Sequence, residues 1–317
     1  MLASLRMPRT ISLAAYTIKV WNLDEKDAEP VSDFADSNDL LKFFQGLFAK
    51  LKVNPDDNKK VQQVVSVTEL KTDGRNLYGV IETGEYGVES NIWSTETNKV
   101  VHKKKASEAE MLPFYFLLYI PEGPDEAILL LQRSSTFGIR RVLQQLAGPA
   151  FEEGFEDYQL RFFPLVEPDE VAKYVEGKVQ SIRFIRFNIP SDLASSYDTG
   201  HEEVQGRVEL VVRARRGKSL PINNRLRQFF AGKKELGQLI ALKETNFQYD
   251  NIKVKTKVGS GSRTIDLASP KHLRSYYDIS ADVGLDKNGH PQFDSIHTLA
   301  LDLLNRIKKK IYVTAMS

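Results

Sequence analysis

The segment Asn251-Ile252-Lys253-Val254-Lys255-Thr256-Lys257 alternates apolar or β-branched residues with lysine at strict period two. That pattern has physical meaning only in an extended strand, where successive side chains point to opposite faces. Ile252, Val254 and Thr256 then pack on a core, and Lys253, Lys255 and Lys257 stand in a row on the other side. Cations two residues apart on a strand lie about 6.5–7 Å apart. This is close to the spacing of phosphates along one strand of nucleic acid.

The row is one of several short basic clusters. The others are Lys99–Lys105 with Lys103, Lys104 and Lys105, Arg213–Lys218 with Arg215 and Arg216, Arg225-Leu226-Arg227, and Arg306–Lys310. Overall charge hides them, because 44 Lys and Arg nearly cancel 42 Asp and Glu to leave +2. The carboxylates pool elsewhere, so a folded chain can present a basic face to a polyanion. The lysines of Arg306–Lys310 also have a simpler use, as complements to the negative end of a terminal helix.

A chain of 317 residues holds one large or two ordinary domains. It has no cysteine, which excludes disulfides, thiolate metal sites and thiol nucleophiles, and which fits a reducing cytoplasm. The most apolar run, Met111–Pro121, is far short of the ~20 residues a bilayer span needs. The first residues lack an apolar stretch followed by a cleavage site. A cytoplasmic protein is expected.

Period-two and helical patterns then divide the chain. Ser12–Leu23 reads as a strand, and Leu40–Leu51 as a helix capped by Ser37 or Asn38. Short strands follow from Val61, with Asp73-Gly74 as a turn, and then Val88–Trp93 and Lys99–Lys103. Phe114–Ile120 and Ala127–Gln132 form a buried pair, and a helix from Thr136 ends at Gly148-Pro149. Leu160–Val166 is a strand and Asp169–Glu176 a short helix. Ser181–Asn188 and Val204–Ala214 are strands, and Pro221–Lys243 is helical with a break at Gly232. A strand at Thr264–Leu267 and a helix at Ser295–Ile311 complete the chain. The expected class is α+β, with antiparallel sheets, packed helices and two subdomains, 1–178 and 179–317.

Enzyme motifs are sparse. His102, His201, His272, His290 and His297 show no ligand spacing, and Gly259-Ser260-Gly261-Ser262 lacks the Gly-Lys-Ser/Thr ending of a phosphate loop. No metal, cofactor or catalytic residue is expected. The alternative is a metal-dependent nuclease that pairs Asp192 or Asp198 with Glu209, although Val211 stands where such a site needs lysine. No helix-turn-helix or zinc-finger pattern is present, which points to backbone contact without base readout.

The order of elements carries a resemblance. The helix Leu40–Leu51, the run Pro113-Phe114-Tyr115-Phe116-Leu117, and Gln132-Arg133-Ser134-Ser135-Thr136-Phe137-Gly138 before a helix come first. The strand Asn251–Lys255 and a basic terminal helix follow. In this order the chain resembles the RexA-like phage-exclusion proteins, and in outline it is similar to KwaB-type anti-phage defence proteins. The resemblance implies a homodimer that binds double-stranded DNA without sequence preference and acts as an intracellular sensor beside an integral-membrane partner. The DNA contacts it implies are Lys103, Lys104, Lys105, Arg213, Arg215, Arg216, Lys218, Arg225, Arg227, Lys253, Lys255 and Lys257.

Overall fold

The computed structural model describes residues 10–165, 175–187, 206–230, 233–240, 247, 249–258, 261–267 and 276–312, and only the backbone at 258, 261, 263 and 310. In chain order the first elements are β1 (Ile11–Asn22), β2 (Asp27–Glu29), α1 (Leu40–Val53), β3 (Asp56–Asn58), β4 (Gln63–Asp73) and β5 (Asn76–Glu85). Next come β6 (Ser90–Ser94), β7 (Lys99–Lys104), β8 (Leu112–Tyr119), β9 (Ala127–Ser134), β10 (Phe137–Gly138), α2 (Arg140–Gly154) and β11 (Tyr158–Pro164). Then follow β12 (Lys178–Arg186), β13 (Val208–Arg213), α3 (Asn223–Phe230), α4 (Leu236–Leu239), β14 (Asn251–Val258) and β15 (Gly261–Asp266). The last are β16 (Tyr276–Asp278) and α5 (Phe293–Ile311). With 24% helix and 43% strand among the described residues, in antiparallel sheets, the protein is α+β.

Contacts divide the chain into two compact units, one formed by residues 1–163 and 276–317 and the other by 164–275. The terminal helix α5 therefore belongs with the N-terminal strands, whereas a cut at 178 places it with the basic strand β14. The second unit is an insertion between β11 and β16.

The first unit is built on a curled sheet in the order β11-β1-β9-β8-β5-β4-β3, with β2 and β16 added on β1 and β10 on β9. β1, β8 and β9 are buried on both faces. That explains why Phe114–Ile120 and Ala127–Gln132 read as continuous apolar runs. Ala14, Tyr16, Ile18 and Val20 of β1 join Phe44 and Phe48 of α1 and Phe151 of α2 in one core. On the other face α5 lies against β8 and β9, and it buries Ile296, Ala300, Leu303, Leu304 and Ile307. A bulge between Val67 and Glu69 brings the Glu69 carbonyl to within 1.9 Å of where a Cβ on Gly79 would sit, so only glycine fits there.

Two local expectations are corrected. The α1 cap is Asp39, whose carboxylate accepts the Leu41 amide at 2.9 Å. An N-cap needs extended backbone; Asp39 has it, whereas Ser37 lies at φ +78° and Asn38 instead donates to the Ala35 carbonyl. Helix α2 starts later than Thr136 and runs through Pro149 to Gly154. Thr136 lies in the short turn between β9 and β10. Beyond the proline, Phe151 packs against the rings of Phe34, Phe43 and Phe155 at 5.5, 5.0 and 4.8 Å, and that burial holds the last turn.

Among the described residues the second unit has a four-stranded antiparallel sheet in the order β13-β12-β14-β15. Val179, Ile182, Phe184, Ile252, Val254 and Ile265 form its inner face, covered by Leu226 of α3 and Leu239 of α4. The helix predicted over Pro221–Lys243 is two pieces, and Gly232 lies outside the described residues. Most of the Asp169–Glu176 helix also lies outside them. Among the described residues no helix is long and apolar enough to cross a membrane.

Candidate nucleic-acid interface

The β14 alternation sorts as its pattern requires. Ile252, Val254 and Thr256 are buried, Lys255 and Lys257 are exposed, and Lys253 is half-buried. Antiparallel register then decides what stands beside each lysine, because directly opposed residues share a face. Lys253 lies between Arg183 of β12 and Asp266 of β15, with Val211 of β13 beyond Arg183. Lys255 lies between Ser181 and Thr264, and Arg213 stands beyond Ser181. Lys257 lies between Lys178 and Ser262. Toward Ile185 and Asn251 the face is buried, so its open part runs from Arg183 and Lys253 to Lys178 and Lys257.

This open face carries Lys178, Arg183, Arg213, Lys253, Lys255 and Lys257 against the carboxylates Glu209 and Asp266. Asp266 pairs with Lys253 at 3.1 Å, and Glu209 is flanked by Arg183 at 3.3 Å and Arg207 at 3.1 Å. These half-exposed pairs contribute little to stability, about 0–1 kcal/mol each, but they hold Lys253 and Arg183 on the face. Lys255 and Lys257 have no carboxylate within ion-pair distance among the described residues. Strands lie ~4.8 Å apart and alternate residues ~6.5–7 Å apart, so the cations form a lattice rather than a single row.

The turn after β13 extends this charge. Arg213 ends the strand, Lys218 N donates to the Arg215 carbonyl at 2.9 Å, and Gly217 takes φ +79°. Arg215, Arg216 and Lys218 are exposed on that turn. The Ala214 amide bonds the Gln180 carbonyl and the Leu220 amide the Val179 carbonyl, which ties both ends of the turn to β12.

Arg225 and Arg227 stand apart from this group. They lie on α3, in the helix layer that covers the opposite face of the sheet. Arg225 donates to the Leu239 carbonyl at 3.1 Å, joining α3 to α4, and Arg227 pairs with Glu176 at 2.9 Å. Lys103, Lys104 and Lys105 belong to the first unit, in or beside the β6–β7 hairpin. At the end of α5, Lys308 lies over the Tyr119 ring at 3.7 Å.

Sequence reasoning passed over Lys178 and Arg183 as part of the face. Arg183 alternates with apolar neighbours as any solvated strand residue does, and only the β12–β14 register sets it beside Lys253. Asp192 and Asp198 of the nuclease alternative lie outside the described residues. Glu209 is engaged by two guanidinium groups, an environment that already supplies the positive charge a metal would bring. Comparison with protein-family models and with curated proteins found no match.

Proposed function

We propose that this protein binds duplex DNA without sequence preference through the open face of the second unit's sheet. The supporting observation is the cross-strand register that sets Lys178, Arg183, Arg213, Lys253, Lys255 and Lys257 side by side. Phosphate contacts of this kind position a protein on nucleic acid without reading bases. Binding releases counterions, so affinity falls steeply with salt. The resemblance to RexA-like proteins supports duplex DNA as the polyanion. It also supports a homodimer acting as an intracellular sensor in phage exclusion beside a membrane partner.

Gel-shift titrations of random-sequence duplex at several salt concentrations test this reading. Changing Lys253, Lys255 and Lys257 to Glu is expected to weaken all sequences alike, by at least tenfold at low salt. The slope of log affinity against log salt becomes shallower by roughly one per lost phosphate contact. Unchanged affinity in the triple variant, or no binding by the wild type at low salt, overturns it.

A further inference from the structure

Strands β6 and β7 form a two-stranded sheet of their own, joined to no third strand among the described residues. A lone ribbon of this kind is marginal in water and normally hides its apolar residues against something. Here they stay in solvent: Trp93 is 57% exposed and Val101 60%, with Ile92 and Val100 also exposed. The register pairs Ser90 with Lys104, Asn91 with Lys103, Ile92 with His102, Trp93 with Val100 and Ser94 with Lys99, and leaves Val101 as an extra, bulged residue. Since opposed residues share a face, Ile92 marks one side of the ribbon and Trp93 the other.

The ribbon's base is fixed. Gly87 N donates to the Ala106 carbonyl at 2.6 Å, Lys105 N donates to Glu108, and Glu108 meets His102 Nε2 at 2.8 Å. Lys104 Nζ reaches the Val88 carbonyl. Lys99, Lys103 and Lys105 have no ion-pair partner among the described residues. The carboxylates Glu89 and Glu96 lie at the base and at the tip, and Glu108, held by His102, stands on the Ile92 side.

We propose that this ribbon enters the major groove of duplex DNA. Lys99 and Lys104 on the Ile92 side and Lys103 on the Trp93 side reach the phosphates of the two groove walls, and Ile92 and Trp93 pack against those walls. Three observations carry the assignment. The major groove, about 12 Å wide, admits a two-stranded ribbon. A groove has two walls and covers both exposed faces at once, whereas a flat bilayer surface covers one. The tip, Thr95-Glu96-Thr97-Asn98, is polar, while a hairpin that dips into lipid carries its apolar residues at the tip. The inference rests on the duplex-DNA reading above but uses a different unit and different residues, so each can fail alone.

The chain has two tryptophans, so Trp21→Phe leaves Trp93 as the sole reporter, with an aromatic ring retained under Arg161. On titration with random duplex, Trp93 emission is expected to be quenched, and the quench to be reversed by the major-groove ligand methyl green but not by netropsin. Trp93→Ala with Lys103→Ala is expected to lower duplex affinity about tenfold with an unchanged circular-dichroism spectrum. If duplex binds while Trp93 emission and the double variant's affinity stay unchanged, the ribbon assignment fails and the sheet reading stands. If duplex quenches Trp93 and the Lys253, Lys255 and Lys257 variant binds normally, the ribbon stands and the sheet reading fails. Reversal by netropsin alone rejects the major groove. A response to phosphatidylglycerol vesicles without one to duplex makes the ribbon a membrane contact and overturns the proposal, and no duplex binding at all overturns both readings.

Discussion

Asp39 caps α1 through the Leu41 amide and meets Arg75 at both nitrogens, at 2.6 and 2.9 Å. Arg75 in turn donates Nε to the Ile120 carbonyl at 2.7 Å, so one carboxylate ties the start of α1 to the β4–β5 turn and the end of β8. Burial pushes the Asp39 carboxyl up, but the Arg75 guanidinium and the Leu41 amide outweigh it and hold it below the ordinary carboxylate range. A depressed acid contributes stability that is present above its unfolded pKa and is lost as pH falls through the folded value. Asp39→Ala is expected to cost about 2–3 kcal/mol at neutral pH, from the lost cap and the stranded, partly buried guanidinium. Urea denaturation at neutral and strongly acidic pH checks this; the gap between variant and wild type closes on the acid side. Ser37 and Asn38 looked equally suited as caps, since the left-handed backbone at Ala35–Ser37 is set by how the loop folds back onto Phe34.

At the level of elements, the β14 strand and the α1 apolar stripe were legible because each encodes its own burial pattern. Helix α2 was not. Gly148-Pro149 is a strong local stop signal, since proline removes one backbone bond and crowds the carbonyl four residues back. Burial of Phe151 among aromatic rings contributed by α1, the Phe34 loop and Phe155 overrides that signal. Pro149→Ala restores the bond to the Gln145 carbonyl and is expected to raise stability by about 1–3 kcal/mol. Thermal unfolding followed by circular dichroism measures it; a lower midpoint would show that the ring itself packs usefully. The same contrast governs the basic sites. Lys253, Lys255 and Lys257 announce a face, but Arg183, Lys178 and Arg213 join it only through pairing with other strands.

For the whole molecule, the chain leaves its first unit after β11 and returns at β16, with separate cores on either side of both crossings. Units with separate cores can unfold as separate cooperative blocks. Calorimetry is expected to resolve two transitions, with random duplex DNA raising the one assigned to the second unit by mass action. A single transition that rises as one on adding DNA would show that the units are coupled. Assignment follows from the Lys253, Lys255 and Lys257 variant, in which that rise disappears.

The sequence by itself determined the class of the fold, the buried strands, the α1 stripe and the lysine row of β14, because periodicity and burial are properties of neighbouring residues. It also showed that charge is clustered although the total is balanced. Only the tertiary structure decided which clusters meet. Strand register brought Arg183, Lys178 and Arg213 beside Lys253–Lys257, helix packing set Arg225 and Arg227 on the opposite layer, and the separate β6–β7 ribbon left Trp93 in solvent. Pairing between strands far apart in the chain is set by the sum of core contacts, and no local window of residues contains that sum.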